Sequence, residues 1–154
     1  MYGSKHGLGR YKWNDAWEYF GQWADNKMTG VGCCVWKDGR KYEGEWLNNQ
    51  MHGFGIQNQS DGIRYEGWFK NDKKEGYGQY FWANGRLYSG YWHEGKSHGI
   101  GSFQNGTDMG DGKNLQHGVW ESGKRVRWLS EGEVYQVNQK LLDVTAFFTN
   151  YDQS

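Results

Sequence analysis

The chain has 154 residues, enough for one ordinary domain, and its 18 basic residues balance its 18 acidic ones. A neutral chain has no overall field toward polyanions, so no nucleic-acid partner is expected. Glycine (25 residues) and aromatics (18%) are abundant, and proline is absent. This combination excludes a disordered chain, which would be poor in aromatics. It predicts short strands and tight turns, with aromatic side chains as the buried surface.

A repeat with a period of 23 residues runs through residues 5–101. A Tyr-x-Gly-x-Trp block, with Phe once in the last place, begins at Tyr19, Tyr42, Tyr65 and Tyr88. A Gly-x-Gly motif keeps the same phase at 7–9, 30–32, 53–55, 76–78 and 99–101. Turn-forming pairs keep it too, at Asp38-Gly39, Asp61-Gly62 and Asn84-Gly85. Features that recur together at one spacing predict a repeat protein built of similar small units.

Each unit is predicted to be a β-hairpin. Asp-Gly or Asn-Gly between two aromatic-rich runs favours a two-residue type I′ turn, in which both central residues have positive φ. In the second unit, the strands are predicted over 30–36 and 40–46, and residues 46–53 form the link to the next hairpin. Two strands per unit give an advance of roughly 10 Å per repeat.

This pattern resembles the MORN (membrane occupation and recognition nexus) repeat. The unit of that family is a Tyr-x-Gly-x-Trp block followed by His-Gly-x-Gly, and the second motif is present here at 6–9, 52–55 and 98–101. The resemblance covers residues 5 to 101. It implies an all-β fold, a single-layer antiparallel β-hairpin solenoid, used for protein binding or membrane-proximal assembly.

Three segments are expected along the chain. The repeat array occupies 1–101 and starts inside a unit, so the chain is either a fragment or has a clipped first repeat. The phase then breaks, and 102–137 is predicted to be a degenerate closing repeat that caps the array. The tail, 138–154, is predicted to hold a short helix at 140–148. That helix either folds back over the sheet or docks on another protein.

Alternation along the strands sorts the side chains onto two faces. The first face holds the Tyr, Gly and Trp of each block, together with Tyr11, Trp13, Cys34, Trp36, Tyr80 and Trp82. These aromatics are predicted to form a ladder that replaces an aliphatic core, with glycines that let a ring lie against the backbone. In the third unit Gln57 and Gln59 take the aromatic places. They form either a polar notch that hydrogen-bonds a partner or a neutral variation in a tolerant repeat.

The second face carries an apolar column formed by the residues between the paired glycines, which are Leu8, Val31, Phe54, Tyr77 and Ile100. Trp68 and Tyr91 occupy matching slots where the second unit has Glu45. A single-layer sheet cannot bury both faces by itself, and exposed apolar patches mark interaction sites. We therefore predict a docking surface at Phe54, Trp68, Tyr77, Tyr91 and Ile100, with further candidate contacts in the tail at Phe147 and Phe148.

No catalytic or metal site is predicted. His6, His52 and His98 recur with the repeat, and neighbours two units apart lie about 20 Å from each other, whereas the ligands of one ion lie at about 2 Å from it. Cys33 and Cys34 point to opposite faces of a strand and are expected to be reduced thiols. No catalytic triad, phosphate loop or acid pair stands outside the repeat. We therefore expect no enzyme activity, cofactor, metal or small-molecule substrate.

The main functional hypothesis is a scaffold that binds other proteins within a larger complex. The resemblance to compact, repeat-only MORN proteins implies a cytoplasmic, cytoskeletal location such as the ciliary axoneme or the radial spoke head. A membrane-proximal phosphoinositide-binding or targeting module ranks lower. Attraction of a protein to anionic lipids is worth about 1 kcal/mol for each basic residue near the membrane surface. The balanced charge of this chain predicts no basic face of that kind. A regulatory fragment of a larger enzyme is the third alternative.

Overall fold

The computed structural model describes residues 3–106 and 114–140, in which eleven strands form one antiparallel sheet. Each strand pairs with the strands before and after it in sequence, so the sheet is open, with β1 and β11 at its edges. The strands are β1 (Gly7–Trp13), β2 (Trp17–Ala24), β3 (Lys27–Trp36), β4 (Lys41–Leu47), β5 (Gln50–Asn58), β6 (Arg64–Lys70), β7 (Lys73–Phe81), β8 (Leu87–His93), β9 (Lys96–Gln104), β10 (Leu115–Glu121) and β11 (Lys124–Trp128). The predicted hairpin solenoid is confirmed.

The Asp-Gly and Asn-Gly pairs lie in three-residue loops, and the predicted type I′ geometry is wrong there. After β3, Gly39 N donates to Trp36 O at 3.0 Å, and Trp36 N donates to Arg40 O at 2.9 Å. This is a type I turn closed by a left-handed residue. Only Gly39 has positive φ (89°), while the Asp38 carboxylate accepts a hydrogen bond from the Arg40 amide at 3.1 Å. The aspartate side chain thus stabilises the ordinary type I turn.

Two-residue turns with positive φ at both central residues occur between the units instead. They are Asp25-Asn26, Asn48-Asn49, Asn71-Asp72, Glu94-Gly95 and Ser122-Gly123. Short amide and carboxylate side chains tolerate this conformation, because they bond to nearby backbone. The strands therefore extend further than predicted. Because β5 begins at Gln50, most of the predicted 46–53 link is strand.

These turns also tie each repeat to the one before it. Asn49 N donates to Met28 O at 3.0 Å, and Met28 N donates to the Asn49 side-chain oxygen at 2.8 Å. The same pair of bonds joins Asn26 to Lys5 and Asp72 to Met51. The Asn or Asp at this position thus stabilises both its own turn and the contact between neighbouring units.

The core lies on the first face, where the repeat tyrosines cover paired glycines. Tyr19, Tyr42, Tyr65 and Tyr88 are at most 2% exposed. Each hydroxyl donates to the backbone carbonyl three residues further on, at 2.9 to 3.0 Å. A Cβ added to Gly55 would overlap the Tyr42 ring, so this close approach requires glycine.

The last residue of each block joins the tyrosines of neighbouring repeats into the predicted aromatic ladder. The Tyr42 ring meets Trp46 of its own unit at 5.1 Å and Phe69 of the next unit at 5.2 Å, both edge-on. Such pairs contribute about 0.5–1.5 kcal/mol each beyond the area that they bury. Trp46 Nε1 also donates to Gly32 O at 3.1 Å. The ladder takes the place of a second layer.

A helix covers residues 131–140 and begins ahead of the predicted tail. Ser130 caps it: Ser130 N donates to Glu133 Oε2 at 2.9 Å, and Glu133 N donates to Ser130 Oγ at 3.4 Å. Arg127 of β11 pairs with Glu133 at 2.8 Å and, with the Ser130 bonds, lowers the pKa of that carboxyl to about 2. The Ser-x-x-Glu signal for this start is present in the sequence. Most of the predicted helix at 140–148 lies outside the described residues.

Replacing Ser130 with alanine is expected to loosen this helix without disturbing the sheet. Loss of the cap destabilises a helix by about 1 kcal/mol, which is roughly a fivefold increase in local opening. Amide hydrogen exchange over 131–140 measures that opening. Gln136→Ala, an exposed change within the same helix, is the control and should leave the protection unchanged. Equal protection in both variants would contradict a capping role.

Candidate functional site

Four aromatic rings are half exposed on the second face, on the adjacent strands β5 to β8. Phe54, Trp68, Tyr77 and Tyr91 are 47 to 53% exposed. Phe54 and Trp68 are cross-strand neighbours with ring centroids 6.0 Å apart, and Tyr77 and Tyr91 repeat that arrangement at 6.0 Å. We call these four residues the aromatic patch. The structure thus brings together four of the residues predicted for docking.

The residue type at a bulge that recurs in each unit explains why the patch is confined to the third and fourth units. The register of the β-ladder shifts by two residues at Gln22, Glu45, Trp68 and Tyr91, because each of them faces three residues of the next strand. The Gln22 and Glu45 side chains bond to the backbone of the next strand. Gln22 Oε1 accepts a hydrogen bond from Val31 N at 2.7 Å, and Glu45 Oε2 accepts one from Phe54 N at 2.6 Å. Indole has no acceptor to do this, so the Trp68 ring stands out from the sheet.

Apolar side chains flank the aromatic patch along the second face. Ile100 is 39% exposed and lies opposite Val119 of the closing hairpin. At the other end, Leu8, Phe20 and Val31 line a shallow depression of about 390 Å³. The predicted apolar column therefore runs the length of the sheet, and the four rings are its bulkiest part.

Charges on the second face are arranged as local pairs. Arg10 pairs with Glu18, and Arg64 pairs with Glu66. Lys41 Nζ lies 2.8 Å from a Glu43 oxygen. Surface pairs of this kind contribute little stability, about 0–1 kcal/mol each. Their consequence here is that the basic groups around the column are matched by acids on the same face.

The two glutamines predicted as a polar notch lie on other parts of the structure from the aromatic patch. Gln57 is partly buried on the first face, directly opposite Tyr42 on one neighbouring strand and Tyr65 on the other. Gln59 follows β5, and its backbone N donates to Ile63 O at 2.7 Å across the loop. Their role in binding stays a prediction. Phe147 and Phe148 lie outside the described residues.

A groove on the first face was missed by the sequence reasoning. It is a cavity of about 460 Å³ lined by Lys74, Tyr80, Trp82, Tyr88, Trp92, Lys96, Phe103 and Trp120, among others. We call it the Lys74 groove. Burial lowers the pKa of the Lys74 amine from its ordinary value. A signal was present in the sequence, because Lys74 stands at the place where the two preceding units have Met28 and Met51.

The cysteines and the possible metal ligands do not form a common site among the described residues. Cys33 and Cys34 lie on opposite faces of β3, as predicted, and burial raises the pKa of the Cys34 thiol to about 12. Within 3–106 and 114–140, no group of three or more His, Cys, Asp or Glu could hold a metal ion. In the same part of the chain, no helix has the length and apolarity that crossing a bilayer requires.

An open sheet with an aromatic core on one face and exposed rings on the other defines a hairpin-repeat module. The profile of the MORN repeat matches residues 1–16, 19–39, 42–64, 65–85 and 88–107. The chain therefore belongs to the MORN-repeat family, whose repeats are generally non-catalytic modules for protein interaction or membrane association. A comparison with curated proteins gives no match.

Proposed function

We propose that this chain is a protein-interaction scaffold that holds a partner protein against the aromatic patch. The observation that carries the proposal is the set of four adjacent rings, each about half exposed on a regular sheet. Tyr and Trp are favoured anchors at protein interfaces, because they bury a large area at a low cost in side-chain entropy. The sheet holds the rings in place through its backbone ladder, so binding them requires little further ordering.

The charge pattern favours a protein over an anionic membrane as the partner of this face. Attraction to acidic lipids is worth about 1 kcal/mol for each unpaired basic residue near the surface. Here Arg10, Lys41 and Arg64 each have an acidic neighbour on the same face. The rings would bind to a partner with a complementary apolar surface.

The test is recovery of partners from native cell extract by the wild type and by the double variant Trp68→Ala, Tyr91→Ala. Loss of two anchor rings weakens an interface by about 2 kcal/mol or more, so we expect at least a tenfold loss of specifically bound proteins. Leu8→Ala is the control, since Leu8 is 72% exposed on the same face and lies outside the patch. It should retain the partners.

Two results would contradict the scaffold. One is equal recovery of the same proteins by the wild type and the double variant. The other is recovery of none, with binding of both to vesicles containing phosphatidylserine or phosphoinositides, which would favour the membrane alternative. Thermal unfolding of each variant confirms that the sheet is intact, because the truncated rings are largely exposed.

The cellular location of the scaffold is a separate part of the proposal. Its basis is the resemblance to compact, repeat-only MORN proteins, which implies a cytoskeletal assembly in the cytoplasm such as an axoneme or a radial spoke head. Fluorescence microscopy of the tagged full chain in ciliated cells tests it. Label along the axoneme that survives detergent extraction is the expected result, and label that detergent removes would contradict it.

A further inference from the structure

Lys74 places a charged amine in a slot where the two preceding units pack a methionine against the aromatic core. Met51 lies opposite Trp46 in the ladder, and Lys74 lies opposite Phe69 at the equivalent place. Met28, in the unit before those, is only 5% exposed. Lysine in such a slot is unusual, because burial of an ammonium group is unfavourable without a compensating partner.

Aromatic rings surround the Lys74 amine, but no described residue neutralises its charge. Lys74 Nζ lies 5.3 Å from the centre of the Tyr65 ring and 5.5 Å from those of Tyr80 and Trp92. These cation–π contacts stabilise the ammonium form. Burial acts in the opposite direction and lowers the pKa of the amine, and no described carboxylate forms an ion pair with it. The amine is therefore a partly desolvated cation without a counter-charge from the described residues.

The Lys74 groove has the size and lining of a binding site. Its volume of about 460 Å³ falls within the range of roughly 300–1,000 Å³ that is typical of ligand sites. Trp82 after β7, Phe103 of β9 and Trp120 of β10 supply apolar walls, and the exposed Lys96 adds a second cation. None of the described residues that line the groove is acidic.

We propose that the Lys74 groove binds a segment of a partner protein in which an aspartate or glutamate stands among apolar residues. The carboxylate pairs with the Lys74 amine, and the apolar neighbours pack on Trp82 and Phe103. Two cations and no acid among the described lining residues favour an anion, while the aromatic walls favour one carried on an apolar peptide. This site lies on the first face and does not depend on the aromatic patch, which is on the second.

The test is selection of random peptides, displayed on phage, on the full chain and on its Lys74→Met variant. Methionine restores the residue that the two preceding units carry, so the variant should fold. The wild type should select a motif with one acidic residue between apolar or aromatic ones. A selected peptide should bind the wild type about 30-fold or more tightly than it binds Lys74→Met, as is typical when one partner of a buried charge pair is removed.

Three controls separate recognition from a merely structural role of Lys74. The same peptide with its acidic residue changed to the amide should lose affinity for the wild type but not for Lys74→Met. Lys27→Met, which removes an exposed charge elsewhere on the sheet, should bind as the wild type does. Trp68→Ala, Tyr91→Ala should also bind normally, so failure of this site and failure of the aromatic patch are distinguishable.

Several outcomes would overturn the proposal. Selected peptides without an acidic residue, or equal binding by Lys74→Met, would reduce Lys74 to a packing role. Binding that depends on Lys74 but requires phosphatidylserine vesicles would assign the groove to lipid. If a synthetic peptide of residues 141–154 competed for the groove in the same Lys74-dependent way, the occupant would be this chain's own sequence and not a partner.

Discussion

Gly55→Ala is expected to destabilise the array by about 3–5 kcal/mol, because the added Cβ would overlap a fully buried ring. Gly55 lies directly beneath the Tyr42 ring, which is 0% exposed. Gly44 is the cross-strand partner of Gly55, so movement of the Gly55 backbone away from the ring would disturb the ladder. The Tyr42 ring must therefore leave its site, and its contacts with Trp46 and Phe69 go with it.

Urea unfolding of the variant and the wild type measures this difference. Gly39→Ala is the matched control: Gly39 has a positive φ of 89° but only one atom, at 4.0 Å, near an added Cβ. Left-handed strain alone costs about 1–2 kcal/mol. Equal stability of the two variants would show that the tyrosine does not require the glycine beneath it. If the unfolding transition loses cooperativity in Gly55→Ala but not in Gly39→Ala, the Tyr42 ring contributes to the coupling between neighbouring repeats.

The protein is expected to unfold steeply in alkali, because four tyrosine hydroxyls are protected from ionisation only in the folded state. Burial raises the pKa of Tyr19 and of Tyr88 to about 12, and it raises those of Tyr42 and Tyr65 further. A raised folded-state pKa contributes stability that is present below the unfolded value near pH 10 and is lost as pH rises through the folded value. Each hydroxyl must also lose its bond to a carbonyl.

Ionisation of these four tyrosines should therefore leave the free energy of unfolding almost unchanged between about pH 7 and 9. Above that range it should lower the free energy of unfolding by up to about 5 kcal/mol per pH unit. Burial also raises the pKa of the Cys34 thiol to about 12 and raises the pKa of Tyr80, so both groups add to this loss. Lys74 acts in the opposite direction, since burial lowers its pKa, and its effect ends near pH 10.5. Urea midpoints from about pH 8 to 11, with tyrosinate absorbance as the second signal, measure the slope. Tyr42→Phe should reduce the slope by up to about 1.4 kcal/mol per pH unit, the contribution of one group. Tyr135→Phe, at an exposed site, should not change it. Stability that stays constant up to about pH 11 would contradict the expectation.

The repeat unit could be predicted from the sequence because its interactions are local and periodic. Tyr42, Gly44 and Trp46 lie two residues apart, so strand geometry alone puts them on one face. The need for glycine beside a ring follows from sterics, and the 23-residue phase identifies which ring meets which glycine. The same periodicity separated the buried aromatic face from the exposed face, and the alternating burial along β4 shows that separation.

The turn types could not be obtained from residue pairs alone. Asp-Gly is compatible with both a type I′ turn and a type I turn closed by a glycine, and the number of loop residues between paired strands decides between them. The left-handed turn lies at Asn48-Asn49, because there the Asn49 side chain also accepts a hydrogen bond from Met28 of the preceding unit. That interaction joins residues 21 apart, so it exists only once the strands are in register.

What the sequence determined by itself is the unit, its faces and the family, since each follows from short-range alternation. The tertiary structure alone decided how neighbouring units present their side chains. It showed that the side chains of Gln22 and Glu45 bond to the backbone at their bulges, whereas the rings of Trp68 and Tyr91 at the equivalent bulges remain half exposed. It also placed Lys74 within a wall of rings drawn from neighbouring hairpins. Both outcomes depend on register between strands, where a shift of one residue exchanges the two faces.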